Sequence, residues 1–405
     1  MAGDTFNTYY GEFLMSPIPI ELSFNYCSHG CQYCFANLNQ PDRKAAIAST
    51  LNLIKDCYKR KSFEAFLLRE KYPVLISNRV DPFAVSNYRQ VLPVLELLTQ
   101  VDIPIAFQTK GGRGIDEALS FLNPSCWYIS IAMLSDELRK GLEPGAPSIQ
   151  ERLDLIEKLT KAGHSVSVGI NPCVPEWLPE PEKLIKEIAS RGAYGVWVEP
   201  LHLNSRQLKR IAEKDQLVMG SEVVAKAKKR LCPPDWREFI EHVKDLAVAD
   251  NLEPYSTDQS RRSDFFEPYK QKYPKLFPTH QEFINHLVDS GTPDNSLITL
   301  QQYLEFFVPK LPEGKLRIGH YVGATAHNVC REFEKWDNNM SYEVLLMLLW
   351  NEGRIKLSPQ SNDAFSRACD RNSDGKLIER FDKYGDVILV FSQKGFSEYR
   401  VEVEV

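Results

Sequence analysis

The chain lacks what secreted and membrane proteins usually show. No apolar run approaches the roughly 18 residues that span a bilayer. The longest candidate, "VLLMLLW" at 344–350, fits a buried helix. The opening residues, "MAGDTFNTYYGEFLMSPIPIELSF", have no charged stretch leading into an apolar one and do not read as a signal peptide. No charge sign dominates: 49 Lys and Arg stand against 54 Asp and Glu, a net of −5. This excludes the basic excess of a dedicated nucleic-acid coat protein and leaves room only for a local basic groove. Internal repeats and low-complexity tracts are missing too. Together these absences point to a cytoplasmic protein with no membrane partner. With 405 residues, 43% of them hydrophobic, the chain can build one large domain and a smaller one.

Nine cysteines in such a chain are not a disulfide framework. A reducing compartment keeps thiols free, and a tight cluster there points to metal binding or catalysis. Cys57, Cys126, Cys173, Cys232, Cys330 and Cys369 are scattered and read mostly as small buried hydrophobes. Cys27, Cys31 and Cys34 sit together in "CSHGCQYC". Structural zinc usually takes two close pairs of ligands, and no second C-x2-C follows. His29 lies between two of the thiols, too close along the chain to wrap the same ion easily. A [4Fe–4S] cube has four iron corners, normally held by thiolates. Three thiolates on one loop leave a corner open for a substrate or cofactor. On spacing alone, structural zinc and other iron–sulfur roles stay open.

Residues 18–203 alternate strand and helix patterns. Strands rich in Val and Ile fall at 18–26, 72–78, 103–109, 126–133, 165–171 and 195–203, with helical patterns between them. Such spacing predicts a parallel sheet of the α/β class. Six units make a partial (β/α)6 barrel of the TIM type, with chemistry at the C-terminal strand ends. Those ends carry Asn78, Arg79 and Asp81 after the second strand and Lys110 after the third. Ser130 lies on the fourth, Asn171 and Cys173 at the fifth, Glu199 and His202 at the sixth.

Cys27-x3-Cys31-x-Tyr33-Cys34, directly after the strand "IPIELSFNY", resembles the signature of radical S-adenosylmethionine (SAM) enzymes. The blocks "VDPF", "QTKGG", "LEPGAPSIQERLDLIEKLTKAG" and "NPCVP", in this order, resemble the spore photoproduct lyase and DNA-repair-photolyase-like branch. That likeness covers about half the chain. It implies that Cys27, Cys31 and Cys34 hold a [4Fe–4S] cluster whose open iron chelates SAM. Tyr33 would pack near the adenine, while Lys110 and Ser130 would contact the methionyl group. Asn171 joins this cofactor-binding set, and Glu143 and Arg152 would hold the crossover loop. The implied reaction cleaves SAM reductively to a 5′-deoxyadenosyl radical that takes hydrogen from a nucleobase, nucleotide or nucleic acid, DNA or RNA. An electron donor such as flavodoxin or ferredoxin is the implied partner. Candidate catalytic residues are Asp81, Cys173, Glu199 and His202. One departure matters. The branch carries a cysteine shortly before the strand-two aspartate, which returns a hydrogen atom to the product radical. Here Asn78 stands there, and an amide cannot donate one. Photoproduct repair is therefore in doubt, and Cys173 is the substitute donor to weigh. The rival readings are radical modification of a small metabolite or peptide and, from another class, a metal-stabilised nucleic-acid-binding protein.

The pattern beyond 205 changes to long helical stretches. The expected division is 1–205 for the radical SAM core, 206–290 for a helical extension closing the barrel, and 291–405 for a C-terminal α+β domain. "QSRRSDFFEPYKQKYPKLFPTHQEFINHL" (259–287) mixes bases and aromatics, which suits a nucleic-acid groove or a packed surface. The tail ends in "DVILVFSQ" and "SEYRVEVEV", joined by "KGF", a pattern that suggests a winged-helix-like module. "DRNSDGKLIERF" opens like a calcium loop but has Phe381 where the bidentate Glu belongs, so it reads as a polar turn.

Overall fold

A computed structural model of the chain describes residues 6–10, 13–24, 26–34, 47–213, 218–228, 232–256, 264–313, 315–316, 340–351, 364–393 and 400–402. It divides into two compact units. One comprises Met1–Tyr9, Ile20–Tyr255 and Phe265–Lys275; the other comprises Tyr10–Pro19, Ser256–Asp264 and Leu276–Val405. The division expected after 205 falls inside the first unit, and the one expected after 290 falls inside the second. No helix among the described residues is long and apolar enough to cross a membrane.

The first unit is built on an eight-stranded sheet whose strand order follows the chain. Its strands are β1 (Phe6–Tyr10), β2 (Ile20–Phe24), β3 (Val74–Ile76), β4 (Ile105–Thr109), β5 (Cys126–Ser130), β6 (Ser165–Cys173), β7 (Gly195–Pro200) and β8 (Glu253–Tyr255). From β2 to β8 every neighbouring pair is parallel. The expected six strands are β2 to β7, and β8 adds a seventh to the parallel run. β8 is three residues long and contains Pro254, so no strand pattern flags it. Helices α1 (Ile47–Lys55), α2 (Phe63–Arg69), α3 (Tyr88–Gln100), α4 (Ile115–Leu119), α5 (Asp136–Leu142), α6 (Ile149–Lys161) and α7 (Pro181–Ser190) occupy the crossovers. Beyond β7 come α8 (Ser205–Glu213), α9 (Ser221–Ala227) and α10 (Pro234–Ala249). The result is a partial barrel with two open sheet ends.

Local signals place α6 well. The Ser148 hydroxyl accepts from the Glu151 N–H, and the Glu151 carboxylate accepts from the Ser148 N–H 2.7 Å away. Gly163, at φ +81°, ends the turn that follows. The two faces of the sheet differ. Phe107 and Trp127 are register partners and stack with ring centroids 3.9 Å apart, Phe83 lying parallel to Trp127. On the other face, Gln108 and Tyr128 are partners, and so are Gly169 and Trp197. The Phe265 ring meets this inner face at Trp197 (5.0 Å) and Tyr128 (6.4 Å).

Most aromatics described in the basic and aromatic stretch turn inward. Phe265, Tyr269, Tyr273, Phe277 and Phe283 are all buried. Tyr273 accepts from the Cys126 N–H at 2.9 Å and donates to the Ile105 carbonyl at 2.7 Å, tying this segment to the start of β4 and β5. These aromatics pack protein core, and Arg261 and Arg262 lie outside the described residues.

In the second unit the described residues of the two tail strands do not pair with each other. Leu389–Phe391 runs antiparallel to Phe365–Arg371, which pairs in parallel with Arg400–Glu402. The expected two-stranded wing is therefore replaced by a five-stranded sheet. Asn372 accepts from the N–H groups of Asp374 and Lys376 in the turn where the failed calcium motif lies.

Gly169 is the tightest position on the inner face. A Cβ there would sit 1.7 Å from the Tyr128 hydroxyl. Gly169→Ala is expected to lower stability by about 1–3 kcal/mol through overpacking, read by denaturant unfolding. On a Tyr128→Ala background the same change should cost clearly less; equal costs in both backgrounds would refute the clash.

Candidate active site

The three cysteines lie in the loop after β2, at the C-terminal end of the sheet. Cys27 and Cys31 are buried and Cys34 is half-buried, all as free thiols. The loop is held from two sides. From the α5 side, the Gln32 N–H donates to the Leu142 carbonyl at 2.9 Å, and the Gln32 amide reaches the Gly141 carbonyl at 3.0 Å. Gly145 lies directly on the loop. Its N–H bonds the His29 carbonyl, and a Cβ would sit 2.1 Å from the Ser28 carbonyl oxygen. From the α8 side, Arg210 donates to the carbonyls of Cys31 (3.0 Å) and Gln32 (2.9 Å), and Gln207 donates to that of Tyr33 (2.8 Å).

Beside this loop stands a charged cluster centred on Glu143, which has no exposed surface. Lys110 Nζ lies 2.8 Å from Glu143 Oε1, and the Arg152 guanidinium bonds Oε2. The Tyr33 hydroxyl also donates to Glu143. Lys110 Nζ further contacts Ser130 Oγ at 2.7 Å and the Tyr33 oxygen at 3.1 Å. Arg152 reaches back to the Ser130 carbonyl at 3.1 Å. Burial alone would raise the Glu143 pKa, but the Lys110 and Arg152 cations outweigh it and hold the carboxyl at about 2. One carboxylate faces two cations, so the cluster keeps a net positive charge. Lys110, on the half-exposed inner face, is the part of it suited to a further carboxylate.

Lys110, Ser130 and Tyr33, predicted together from sequence, are brought together here. Glu143 and Arg152 hold the crossover loop and also organise this cluster. Asp81 takes a different place. Its carboxylate accepts from Thr109 Oγ1 (2.7 Å) and from the N–H groups of Lys110 (2.6 Å) and Phe83 (2.9 Å). It also lies 3.2 Å from His29 Nε2, at ion-pair distance without good hydrogen-bond alignment. His29 Nδ1 is 2.9 Å from the Gly145 carbonyl. Burial would raise the Asp81 pKa, yet His29 and the donors keep it lowered. Asp81 thus ties β3, β4 and the cysteine loop into one piece. The N–H groups of Asn78 and Arg79 donate to the buried Glu21.

Asn171, Cys173, Glu199 and His202 lie at the ends of β6 and β7, and none of them bonds Glu143, Lys110 or Arg152 among the described contacts. Asn171 and Glu199 both lie near the Tyr128 hydroxyl, and Glu199 lies near Cys173 as well. Cys173 is fully buried, and burial pushes its thiol far above the usual range. His202 is exposed. Trp177, whose ring packs 5.7 Å from that of Tyr33, leaves its buried indole N–H without a hydrogen-bond partner among the described residues. Trp177, Gln207 and Arg210 were not singled out from the sequence, and no local motif marks them.

The loop chemistry fits an iron–sulfur core that binds thiolates. Burial first, then the Asp81 charge, pushes the Cys27 thiol up to about 12, and burial also raises Cys31 well above the usual thiol range. A bound metal reverses this, since a coordinated thiol is deprotonated outright. No group of three His, Cys, Asp or Glu among the described residues is gathered for a single ion. A four-iron cube asks for thiolates spread over separate corners, which is how a C-x3-C-x2-C loop presents them.

Because the Glu143 pKa is lowered, its contribution to stability is present above the unfolded carboxyl value and is lost as pH falls through about 2. Glu143→Gln is expected to destabilise the metal-free protein by about 3–5 kcal/mol at pH 7 and to flatten its stability loss below pH ~4.5. Unfolding curves at several pH values check both; an unchanged acid slope would contradict the pairing.

Residues 22–188 match the Radical SAM superfamily. An uncharacterized protein of Mycobacterium tuberculosis is 27% identical over 199 residues, which cover 44% of this chain and 56% of that one. Another, from Acidianus two-tailed virus, is 23% identical over 194 residues, covering 44% and 64%. The chain thus spans little more than half the length of the curated relatives it matches. A spore photoproduct lyase mutant with bound AdoMet and dinucleoside spore photoproduct aligns over 56% of this chain and 72% of its own, at 15% identity and TM-score 0.42. Streptococcus suis SuiB bound to S-adenosylmethionine aligns over 64% and 52%, at 14% identity and TM-score 0.37. The match over 22–188 takes in the cysteine loop, Lys110, Ser130, Glu143 and Arg152, so the part of the chain that carries the site is a radical SAM domain.

Proposed function

We propose that the protein is an enzyme that uses SAM at a [4Fe–4S] cluster held by Cys27, Cys31 and Cys34 to take a hydrogen atom from a nucleobase, nucleotide or nucleic acid. The observation that carries the SAM reading is Lys110, aimed between Glu143 and Ser130 beside the cysteine loop. When bound, the cluster and SAM supply a one-electron cleavage to methionine and a carbon radical able to abstract hydrogen. The chain's own residues do the rest. Lys110 and Ser130 meet the methionyl carboxylate, and Glu143 and Arg152 fix Lys110 in place. Tyr33, between Glu143 and Trp177, packs near the adenine, with Asn171 in the same binding set. Asp81 acts by position, keeping the ends of β3 and β4 against the cysteine loop.

Cys173 is the proposed hydrogen-atom donor to the product radical. Burial keeps it as the S–H form, which can give up a hydrogen atom where Asn78 cannot. Glu199 and His202 line the approach as candidate substrate contacts. An electron donor such as flavodoxin or ferredoxin is required as partner. The nucleic-acid substrate class comes from the photolyase-like resemblance, and one fold hosts many chemistries. The second reading, a small metabolite or peptide, is favoured by the burial of Phe265, Tyr269, Tyr273, Phe277 and Phe283, aromatics that would otherwise be candidates to stack on bases.

The test is 5′-deoxyadenosine formation by anaerobically reconstituted protein with dithionite and SAM, comparing DNA, nucleosides, peptides and no addition. Stimulation by DNA or nucleosides supports the first reading, and stimulation by peptides alone supports the second. Cys31→Ala should abolish product. Lys110→Met should weaken SAM binding by roughly 10- to 100-fold, the loss of a charge-assisted contact, as read by equilibrium dialysis. Undiminished SAM affinity in Lys110→Met would remove the carboxylate role.

A further inference from the structure

The α8 contact with the cysteine loop is more than ordinary packing. Three consecutive carbonyls, those of Cys31, Gln32 and Tyr33, are each taken by a donor from α8. Gln207 is buried, and its carbonyl oxygen accepts from the Asn204 N–H 2.9 Å away, so its amide is fixed at both ends. Arg210 spans two carbonyls with one guanidinium nitrogen. The Cys31 carbonyl it holds also accepts the Cys34 N–H at 3.3 Å, so Arg210 acts on the turn joining two of the three thiols.

The charges around the loop set Arg210 apart. Asp81 faces His29, and Glu143 faces Lys110 and Arg152. Arg139 is paired with Asp136. Arg210 has no carboxylate partner among the described residues. Its positive charge is therefore left facing the peptide of a cysteine that the reading above makes a cluster ligand.

We infer that Arg210 is a positioning residue that, with Gln207, clamps the cluster loop, and that its charge makes the cluster easier to reduce. The inference rests on the cluster assignment proposed above. Reduction adds negative charge to an assembly already made anionic by three thiolates. A fixed cation one peptide away stabilises the reduced form more than the oxidised one, because Coulomb energy grows with the charge it meets. Charge and hydrogen bonding around the thiolates are known levers on iron–sulfur potentials. The clamp adds order, because a loop with its carbonyls tied from both sides resists opening.

The experiment compares full-length wild type, Arg210→Gln and Arg210→Lys, each reconstituted without oxygen and titrated by EPR against a series of potentials. Arg210→Gln is expected to shift the midpoint to more negative potential with iron content unchanged, and Arg210→Lys to restore most of the shift. The same proteins without metal are then probed by thiol alkylation. Cys34 should react about tenfold faster in Arg210→Gln, the loss of one charge-assisted hydrogen bond. A wild-type midpoint and a wild-type alkylation rate in Arg210→Gln overturn the inference. If Arg210→Gln takes up no iron, Arg210→Lys decides: recovered iron supports the charge, and equal loss of iron overturns it. A wild type that binds no four-iron cluster refutes the proposed function instead, and alkylation of the metal-free protein still reads the clamp.

Discussion

The ion cluster around Glu143 is the interaction on which the rest of the site depends. A carboxylate with no exposed surface is tolerable only when cations and donors surround it, and Lys110, Arg152 and Tyr33 supply them. Those partners come from three places in the chain, the cysteine loop, the end of β4 and the start of α6, and Glu143 itself comes from the crossover loop. Burying one anion therefore fixes all four at once. It also leaves Lys110 charged and aimed across Ser130, with one more cation present than the buried anion needs. A ligand carboxylate would complete the balance.

A second buried anion does the same work one layer away. Asp81 joins the ends of β3 and β4 to His29, and through it to Gly145. The cysteine loop thus has two paired anions beside it and, among the described residues, a guanidinium with no carboxylate partner. This arrangement suits a group that must hold extra negative charge when reduced. It also explains why Asp81, which barrel topology marks as a strand-end candidate, ends up with its carboxylate engaged by the protein itself.

Much of this was legible in the chain. The thiol spacing, Tyr33 before the third cysteine, and the alternation of Val- and Ile-rich strands with capped helices are local signals, and parallel sheets make them strong. Lys110 and Ser130 stood among several strand-end candidates, and the family resemblance picked them out as contacts to SAM. β8 was not, being short and carrying Pro254. Arg210 and Gln207 were missed because their contacts span 179 and 174 residues of sequence and leave no motif. The basic and aromatic stretch misled for a different reason. Composition does not say which way a side chain faces, and Phe265, Tyr269 and Tyr273 face the core. The expected wing failed similarly: two adjacent strands each found a better partner in Phe365–Arg371 than in one another.

The most direct measurement is the EPR spectrum of the reduced, reconstituted protein before and after SAM is added. A four-iron cluster with an open corner beside Lys110 should give a reduced-cluster signal whose shape changes on saturation with SAM, and the change should be lost or need far more SAM in Lys110→Met. A signal that saturating SAM leaves untouched in the wild type, or a colourless protein carrying zinc, would contradict a SAM site at this loop.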